Sequence, residues 1–469
     1  VTSSTPEVSV VVCSVGRPEA LELCIDGLRQ LEDVSIEIVV VLGPGAATSS
    51  SELAHRPEVA TIVTSPERNL SLSRNLGADV ARGALIAFID DDAYPSERWL
   101  ADLVPAFRDP EVGAVGGETL DYTGRTHQAV ASMCSVAGDS HPVLVHATPG
   151  LTETPAARSF YYPIGTNLVV RSEALRQVGG FDEQFDYYHD ETDLARRLLD
   201  AGWIVRPVAR GLVFHKFLPS AIRGERRIAT DRRSIVVNRA YFAARHQAPA
   251  EGVDQVRSDF AVFADAQEAE LAEAESRGLV PIGTLERFAV DRLHATALLD
   301  AWLDEMPPAH RHAPDRSTIE VDRSAVVHNP SSEVLHVALV CPGGFASPST
   351  LALGRSLSAA GCRVHVMEHG DSHTTVDLEG GLWRHRVAPG PGIDVLAGDE
   401  LPISLLLDEV ARTHDELTSL DAVVGDVAAT SQASEAILGV EAVLIGDVER
   451  CASASELVAA LGGRRLRRS

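Results

Sequence analysis

Three consecutive aspartates, Asp90, Asp91 and Asp92, close the apolar run Ala84-Leu85-Ile86-Ala87-Phe88-Ile89, and Ala93-Tyr94-Pro95 follows them. A short apolar run bounded by a proline-bearing turn reads as a buried strand. Such a strand delivers several carboxylates to one edge of a sheet. Carboxylates that close repel one another, which raises their pKa values unless positive charge sits among them. A hard divalent cation meets that need, because Mg²⁺ or Mn²⁺ prefers oxygen ligands and often shares them with a substrate's phosphates. Taken alone, the triplet reads equally well as a solvated acidic turn ahead of a helix starting near Pro95, Ser96 and Glu97.

The elements that must position the triplet alternate between strand and helix. Val8 to Cys13 is a β-branched run, a strong strand signal. Pro18 opens a helical pattern carrying Leu21, Cys24, Ile25 and Leu28. Ile36 to Leu42, broken by Gly43-Pro44-Gly45, and Val59 to Val63 read as strands, Ser71 to Ala81 as a helix, and Leu85 to Ile89 as the strand bearing the acids. This alternation predicts a mostly parallel sheet covered by helices. Ligands of such sheets bind beyond the carboxyl ends of the strands, where the triplet lies.

From Ala221 the pattern changes. Arg223, Arg226, Arg227, Arg232, Arg233 and Arg239 crowd one stretch, and helical patterns follow to about 310. Residues 311–334 are proline- and histidine-bearing, with one strand expected at Ser317 to Val321, and read as a linker. A second α/β pattern starts at Leu335. It has strands at His336 to Val340, Arg363 to Met367, Asp421 to Val424 and Ala442 to Ile445, and helices at Ser347 to Ala360, Ile403 to Val410 and Ser453 to Leu461. Gly361 stands where a helix-terminating glycine is expected. The basic stretch Arg464 to Arg468 reads as a frayed end.

The chain has 469 residues, 45% hydrophobic and 23% charged, which is ordinary globular material for two or three domains. Its formal net charge of −26 argues against nucleic acid and against an anionic membrane surface as partners, since both are bound by basic patches. A nucleotide ligand stays open, because a metal can supply local positive charge. Six scattered cysteines with no Cys-x-x-Cys pair suggest a reducing compartment. No apolar stretch reaches the roughly 18–20 residues of a membrane span. A polar N-terminus leading into a strand suggests no signal peptide. A cytoplasmic protein is the expectation, with homo-oligomerisation open.

Four blocks resemble the family 2 glycosyltransferases, which have the GT-A fold, over about residues 7–245. The first is Val8 to Pro18. The second is Ser71-Leu72-Ser73-Arg74-Asn75-Leu76-Gly77, running on to Asp92. The third is Gly165-Thr166-Asn167-Leu168-Val169-Val170-Arg171, leading to Val178-Gly179-Gly180-Phe181-Asp182. The fourth is His189-Asp190-Glu191-Thr192-Asp193-Leu194 with Arg196 and Arg197. The resemblance implies that Ser14 and Arg17 bind the base and ribose of a sugar nucleotide. It implies a D-x-D motif with Asp90 facing the ribose, Asp92 holding the cation on the diphosphate, and Asp91 in the variable middle place. Arg74 would support the diphosphate or the acids, the other reading being a surface arginine on an amphipathic helix.

The family pattern in the fourth block is Glu-Asp-x-Asp-Leu, and here the two acids are exchanged. Glu191 aligns with the usual Asp and is the first choice as general base, with Asp190 second, since the base must reach the acceptor hydroxyl. Asp193 caps or orients the helix. His215, in Val213-Phe214-His215-Lys216, stands where such enzymes place a histidine on the metal or diphosphate, although a lone histidine also reads as structural. The arginine-rich stretch reads either as a mobile lid for diphosphate or an anionic acceptor, or as a solvated helical face. The run Val39 to Gly45 lacks the acidic turn that many relatives carry, so the nucleotide base is not legible.

The region 335–469 faintly resembles the N-terminal half of a GT-B glycosyltransferase, through Val337 to Gly344 and Gly361 to Val366. It is too short for the second Rossmann half and reads as an accessory domain for packing, dimerisation or acceptor docking. The expected architecture is therefore α/β. A GT-A Rossmann-like mixed sheet (1–220) is followed by a helical extension (221–310), a linker (311–334) and a second, smaller Rossmann-like domain (335–469).

The resemblance implies a metal-dependent inverting glycosyltransferase, using Mg²⁺ or Mn²⁺, a nucleotide-diphosphate sugar donor and a hydroxyl acceptor of open class. The rivals are a nucleotidyltransferase-like enzyme and a non-catalytic sugar-nucleotide-binding scaffold.

Overall fold

The computed structural model describes residues 5–46, 50–143, 158–220, 222–224, 226, 228–311, 319–331, 334–341, 345–370, 374–388 and short pieces between 406 and 444. The helix expected at Ser453 to Leu461, the basic C-terminal stretch and most of the helix expected at Ile403 to Val410 lie outside the described residues.

Four parallel strands form the centre of an eight-stranded sheet: β1 (Val8–Ser14), β2 (Ile36–Leu42), β3 (Val59–Thr64) and β4 (Leu85–Asp90), in the order β4-β1-β2-β3. Beyond β4 the sheet turns mixed. Leu168–Arg171 pairs antiparallel with β4 and with Val112–Gly116, and Ile204–Pro207 closes that edge. The strands are apolar on both sides because both faces are covered. On one face Val8, Val10 and Val12 pack with Leu21, Cys24, Ile25 and Leu28 of helix α1 (Pro18–Arg29). On the other, Val11, Val39 and Val41 pack with Leu72 and Leu76 of the helix Leu70–Val80. That helix lies so close to the sheet that a Cβ on Gly77 would overlap Val11, which is why glycine stands there.

Three helices, Arg233–Phe242, Val253–Ser276 and Thr284–Asp304, pack together through Val236, Ala240, Phe260, Phe288 and Leu299. The chain then returns to the first sheet. Ile319–Asp322 pairs antiparallel with β3, and Val327 bridges Ile36, so part of the stretch read as a linker is an edge of the N-terminal sheet.

Among the described residues, the second α/β region has six strands in the order Thr375–Glu379, Leu382–Val387, Arg363–His369, His336–Val340, Ala422–Gly425, Glu441–Leu444, all parallel except the first. Its helix Pro348–Ala359 is capped by Ser347, which accepts from the Thr350 amide, and is followed by Gly361 at φ +95°. The two regions meet through an apolar cluster in which Tyr94, Leu120 and Phe214 pack against Val376, Leu378 and Trp383. The observed architecture agrees with the expected α/β class. No helix among the described residues is long and apolar enough to cross a membrane.

Candidate active site

The register between β1 and β4 sets Cys13 opposite Asp90, so Ser14 lies beside the acidic triplet. Ser14 Oγ donates to Asp91 Oδ2 at 2.6 Å. Arg17, at the entry to α1, pairs with Asp91 and donates from Nη1 to Asp92 Oδ2 at 2.7 Å. Asp91 is wholly buried. Burial pushes its carboxyl up to about 7, against the opposing pull of Arg17 and Ser14. Its place is therefore behind Ser14 and Arg17, fixing them, rather than in front of a ligand.

The turn after the triplet is not the solvated helix cap that the bare sequence allows. Ala93–Pro95 forms a short strand, β5, and Val213–His215 pairs antiparallel with it, setting His215 opposite Ala93. The imidazole is thereby brought to the acids. His215 Nε2 lies 3.6 Å from Asp92 Oδ1 and 3.9 Å from Asp90 Oδ2, while Nδ1 faces Gln128 Oε1 at 3.1 Å. The Leu218 amide donates to Asp92 Oδ2 at 2.9 Å. Burial works to raise the Asp92 pKa, but His215, Arg17 and the Leu218 amide outweigh it and hold the carboxyl well below the ordinary range.

One donor atom each from Asp90, Asp92 and His215 lies within 4.8 Å of the others. Two carboxylate oxygens and an imidazole nitrogen in that arrangement fit a divalent cation. Asp90, expected on the ribose side, belongs to this group, and its side chain is 31% exposed.

The second acidic pair stands across from the first. The helix Asp190–Asp200 is entered through Tyr188 and His189, both left-handed at φ +69° and +64°. Non-glycine residues held there cost about 1–3 kcal/mol each and persist where the surroundings over-determine them. Here the His189 ring stacks on Phe242 at 5.1 Å, and burial, then Arg239, hold its pKa at about 3, so it is neutral.

Arg74 is buried, not a surface arginine. It pairs with Asp190, reaches Asp90 Oδ1 at 3.6 Å and lies over the Phe181 ring. A Cβ on Gly165 would strike its guanidinium, so that block's glycine makes room for it. Burial, and then the Asp190 charge beside it, push the Glu191 carboxyl well above the ordinary range. Asp193 does not cap the helix through its side chain. It orients the helix, with Oδ2 2.6 Å from Arg197 Nη2 and Oδ1 2.9 Å from His246 Nε2.

These groups surround two adjoining cavities. One, of about 400 Å³, is bounded by Ser14, Arg17, Gly43, Asn69 and Asp92. The other, of about 320 Å³, is bounded by Arg74, Gln128, Tyr162, Asp190 and Glu191. Leu70, Asp90, Tyr187, His215 and Arg223 form the wall common to both. The structure thus brings Ser14, Arg17, Arg74, Asp90, Asp92, Asp190, Glu191 and His215 to one place, and of the expected residues only Asp91 lines neither cavity.

Other contributors carry little or no signal in the chain. Arg223, within the arginine-rich stretch, donates to Tyr187 Oη at 3.2 Å, and Thr166, within the Gly-Thr-Asn block, accepts from the Asp90 amide at 3.2 Å. Gln128 and the Leu218 amide have no local signature at all.

Residues 9–176 match the family model described as Glycosyl transferase family 2. The chain is 28% identical over 223 residues to the O-antigen biosynthesis protein RfbC of Myxococcus xanthus, covering 45% of this chain and 17% of that protein. It is 27% identical over 217 residues to the pre-mycofactocin glycosyltransferase of Mycobacterium tuberculosis, covering 45% of this chain and 42% of that one. The chain therefore spans less than half the length of either relative. Among solved structures, it is similar to the mannosyltransferase PcManGT from Pyrobaculum calidifontis in complex with GDP-Man and Mn²⁺. There the TM-score is 0.37 at 18% identity, over 64% of this chain and 88% of that one.

Proposed function

We propose that this chain, whose residues 9–176 carry the family 2 glycosyltransferase pattern, transfers a sugar from a nucleotide-diphosphate sugar to an acceptor hydroxyl with inversion at the anomeric carbon. The observation that carries this reading is the pair of cavities divided by one wall of Asp90, Tyr187, His215 and Arg223. The donor occupies the larger cavity, with its nucleoside toward Ser14 and Arg17 and its diphosphate toward Asp90, Asp92 and His215. The acceptor occupies the smaller, beside Asp190 and Glu191.

Each group then has a task. Asp90, Asp92 and His215 would hold a divalent cation, Mg²⁺ or Mn²⁺, which would supply the positive charge that the diphosphate needs. Asp190 is committed to Arg74, which leaves Glu191 as the base. Its carboxylate takes the acceptor proton while the acceptor oxygen bonds the anomeric carbon and the bond from that carbon to the diphosphate breaks. A raised pKa makes Glu191 a stronger base once ionised. Arg74 joins the two acidic groups and keeps Asp190 from repelling Asp90. Ser14 and Arg17, set by Asp91, shape the nucleoside end.

The division into a transferase unit (1–220), a helical extension (221–310), a connector (311–334) and an accessory region (335–469) is part of this proposal. Thermal-shift screening of nucleotide-diphosphate sugars with and without Mn²⁺ tests the donor, because a ligand that binds the native state raises the apparent stability. Near wild-type transfer by both Asp92→Ala and Glu191→Gln overturns the roles. Release of pyrophosphate in place of a nucleoside diphosphate points to nucleotidyl transfer instead.

A further inference from the structure

A second group of metal-type ligands lies away from both cavities, between the two α/β regions. Glu32 and Glu97 belong to the first region and are tied together by the Glu32 amide donating to the Glu97 carbonyl at 2.9 Å. His336 and His365 sit on neighbouring strands of the second, one at the start of His336–Val340 and one within Arg363–His369. All four side chains are 5% exposed or less. One donor atom each from Glu97, His336 and His365 lies within 4.8 Å of the others. His365 Nε2 is 3.4 Å from Glu97 Oε1, His336 Nδ1 is 3.8 Å from Glu97 Oε2, and His336 Nε2 is 2.9 Å from Glu32 Oε1.

Hydrogen bonding does not account for this convergence. Glu32 Oε1, Glu97 Oε1 and His365 Nε2 are all buried without a hydrogen-bond partner, the short approach of His336 to Glu32 being off the hydrogen-bond direction. A buried polar atom left in that state costs about 1–3 kcal/mol. The other side of His365 is fully specified. Its Nδ1 faces His385 Nε2 at 3.1 Å, and His385 Nδ1 faces Glu409 Oε1 at 2.8 Å. An ionised Glu409 only accepts, so a neutral His385 carries its hydrogen on Nδ1 and accepts on Nε2, and His365 donates from Nδ1. The unprotonated His365 Nε2 then lies 3.4 Å from a carboxylate oxygen, which is repulsive unless a cation lies between them. Charge leads to the same conclusion, since two buried carboxylates face one guanidinium, with Arg363 Nε 3.8 Å from Glu32 Oε1.

We propose that Glu97, His336 and His365 hold a structural Zn²⁺ that clips the second α/β region to the first, with the Glu32 carboxylate adding negative charge beside them. Buried imidazole and carboxylate ligands suit Zn²⁺, and a ligating histidine ordinarily donates its other ring N–H to a partner, the task His385 and Glu409 perform here. The site is separate from the Asp90–Asp92–His215 group and does not depend on the reaction proposed above.

The test is made on the full chain carrying Asp92→Ala, so that the other group does not contribute. After incubation with Zn²⁺ and exhaustive dialysis, elemental analysis is expected to find about one Zn²⁺ per chain. Adding His336→Ala and His365→Ala is expected to remove it. Loading the same Asp92→Ala protein with Co²⁺ is expected to give the visible absorption of a tetrahedral site, a readout that does not require the histidine variants to fold. No retained zinc together with no such absorption overturns the proposal, as does equal retention with both histidines replaced; a proton on His365 would then be what joins it to Glu97.

Discussion

The two α/β sheets of this chain carry ionisable groups at different heights on their strands. In the first, the polar residues nearest the cavities stand at the carboxyl tips: Ser14 ends β1, Asp90 ends β4, and Asp91 and Asp92 lie just beyond, whereas Glu37, near the start of β2, is buried and paired with Arg82. Side chains there project in front of the sheet, and most of them face a cavity. In the second, His365, Glu368 and His385 lie within the strands and are buried. A charge in the body of a strand has to be satisfied inside the protein, because burying it unpaired is costly. Acids at a tip therefore point to an exchangeable ligand, and ionisable groups in the body point to a partner enclosed in the protein, a side chain or, for His365, the proposed Zn²⁺. The regions also touch where it matters for the first: Lys216, next to His215, reaches Asp377 Oδ1 at 2.7 Å and the Val376 carbonyl at 2.8 Å.

The largest effect is expected at the cavities in front of the first sheet, where the proposal places the chemistry. Glu191→Gln should lower kcat by about 10²–10⁴-fold, the usual contribution of a general base, while donor-induced thermal stabilisation persists. Retained turnover would move the role to Asp190. Asp92→Ala should cost about 10²–10³-fold in transfer, comparable to losing one preorganised charge-stabilising group, and should remove the Mn²⁺-dependent part of the donor's thermal shift.

The pH dependence of kcat/KM carries a sign. As the proposed base, Glu191 would work only when ionised, and its pKa is raised, so the rate should climb with pH through a limb above the ordinary glutamate range. A limb at the ordinary glutamate value would place the base elsewhere.

A stability effect separates positioning from chemistry. Asp193→Ala leaves Arg197 and His246 facing a lost buried partner and should cost about 3–5 kcal/mol in urea unfolding at neutral pH. Burial works to raise the Asp193 pKa, but Arg197 and His246 depress it from 3.8 to about 2, so its contribution is present above 3.8 and lost as pH falls through about 2. The difference between variant and wild type should shrink over that interval. The smallest effect probes the contact between the two sheets. Asp377→Asn should shift the Mn²⁺ concentration needed for transfer by about tenfold, the low end for a residue that acts behind a ligand. No shift would make the two regions energetically independent at Lys216.

Much of the first sheet was legible. The β-branched runs, the helix expected at Ser71 to Ala81 and the acids at the end of β4 all follow from local periodicity, whereas the close approach that Gly77 permits is seen only in the fold. The family model ends at residue 176, so it takes in Ser14, Arg17, Arg74 and the triplet but not Asp190, Glu191 or His215. Those three rested on shorter motifs. The sequence allows Asp193 either to cap or to orient its helix, and the partner that decides between them, His246, lies on a different helical segment. The sequence predicts a strand at Ser317 to Val321, and the strand at Ile319–Asp322 overlaps it, but its place on the edge of the first sheet is not legible, because a short run says nothing about which edge it completes.

By itself the sequence determined the four parallel strands of the first sheet and the helices between them, and that one of those strands ends in acids. These are local properties, set by the spacing of apolar residues and by where the run breaks. Tertiary structure alone decided that His215 meets Asp92, that Arg74 binds Asp190, that Asp91 turns inward, and that His336 and His365 face Glu32 and Glu97. Each depends on the register of paired strands or the docking of one sheet on another, and then on burial, which raises or lowers a charge's cost according to neighbours far away in the chain.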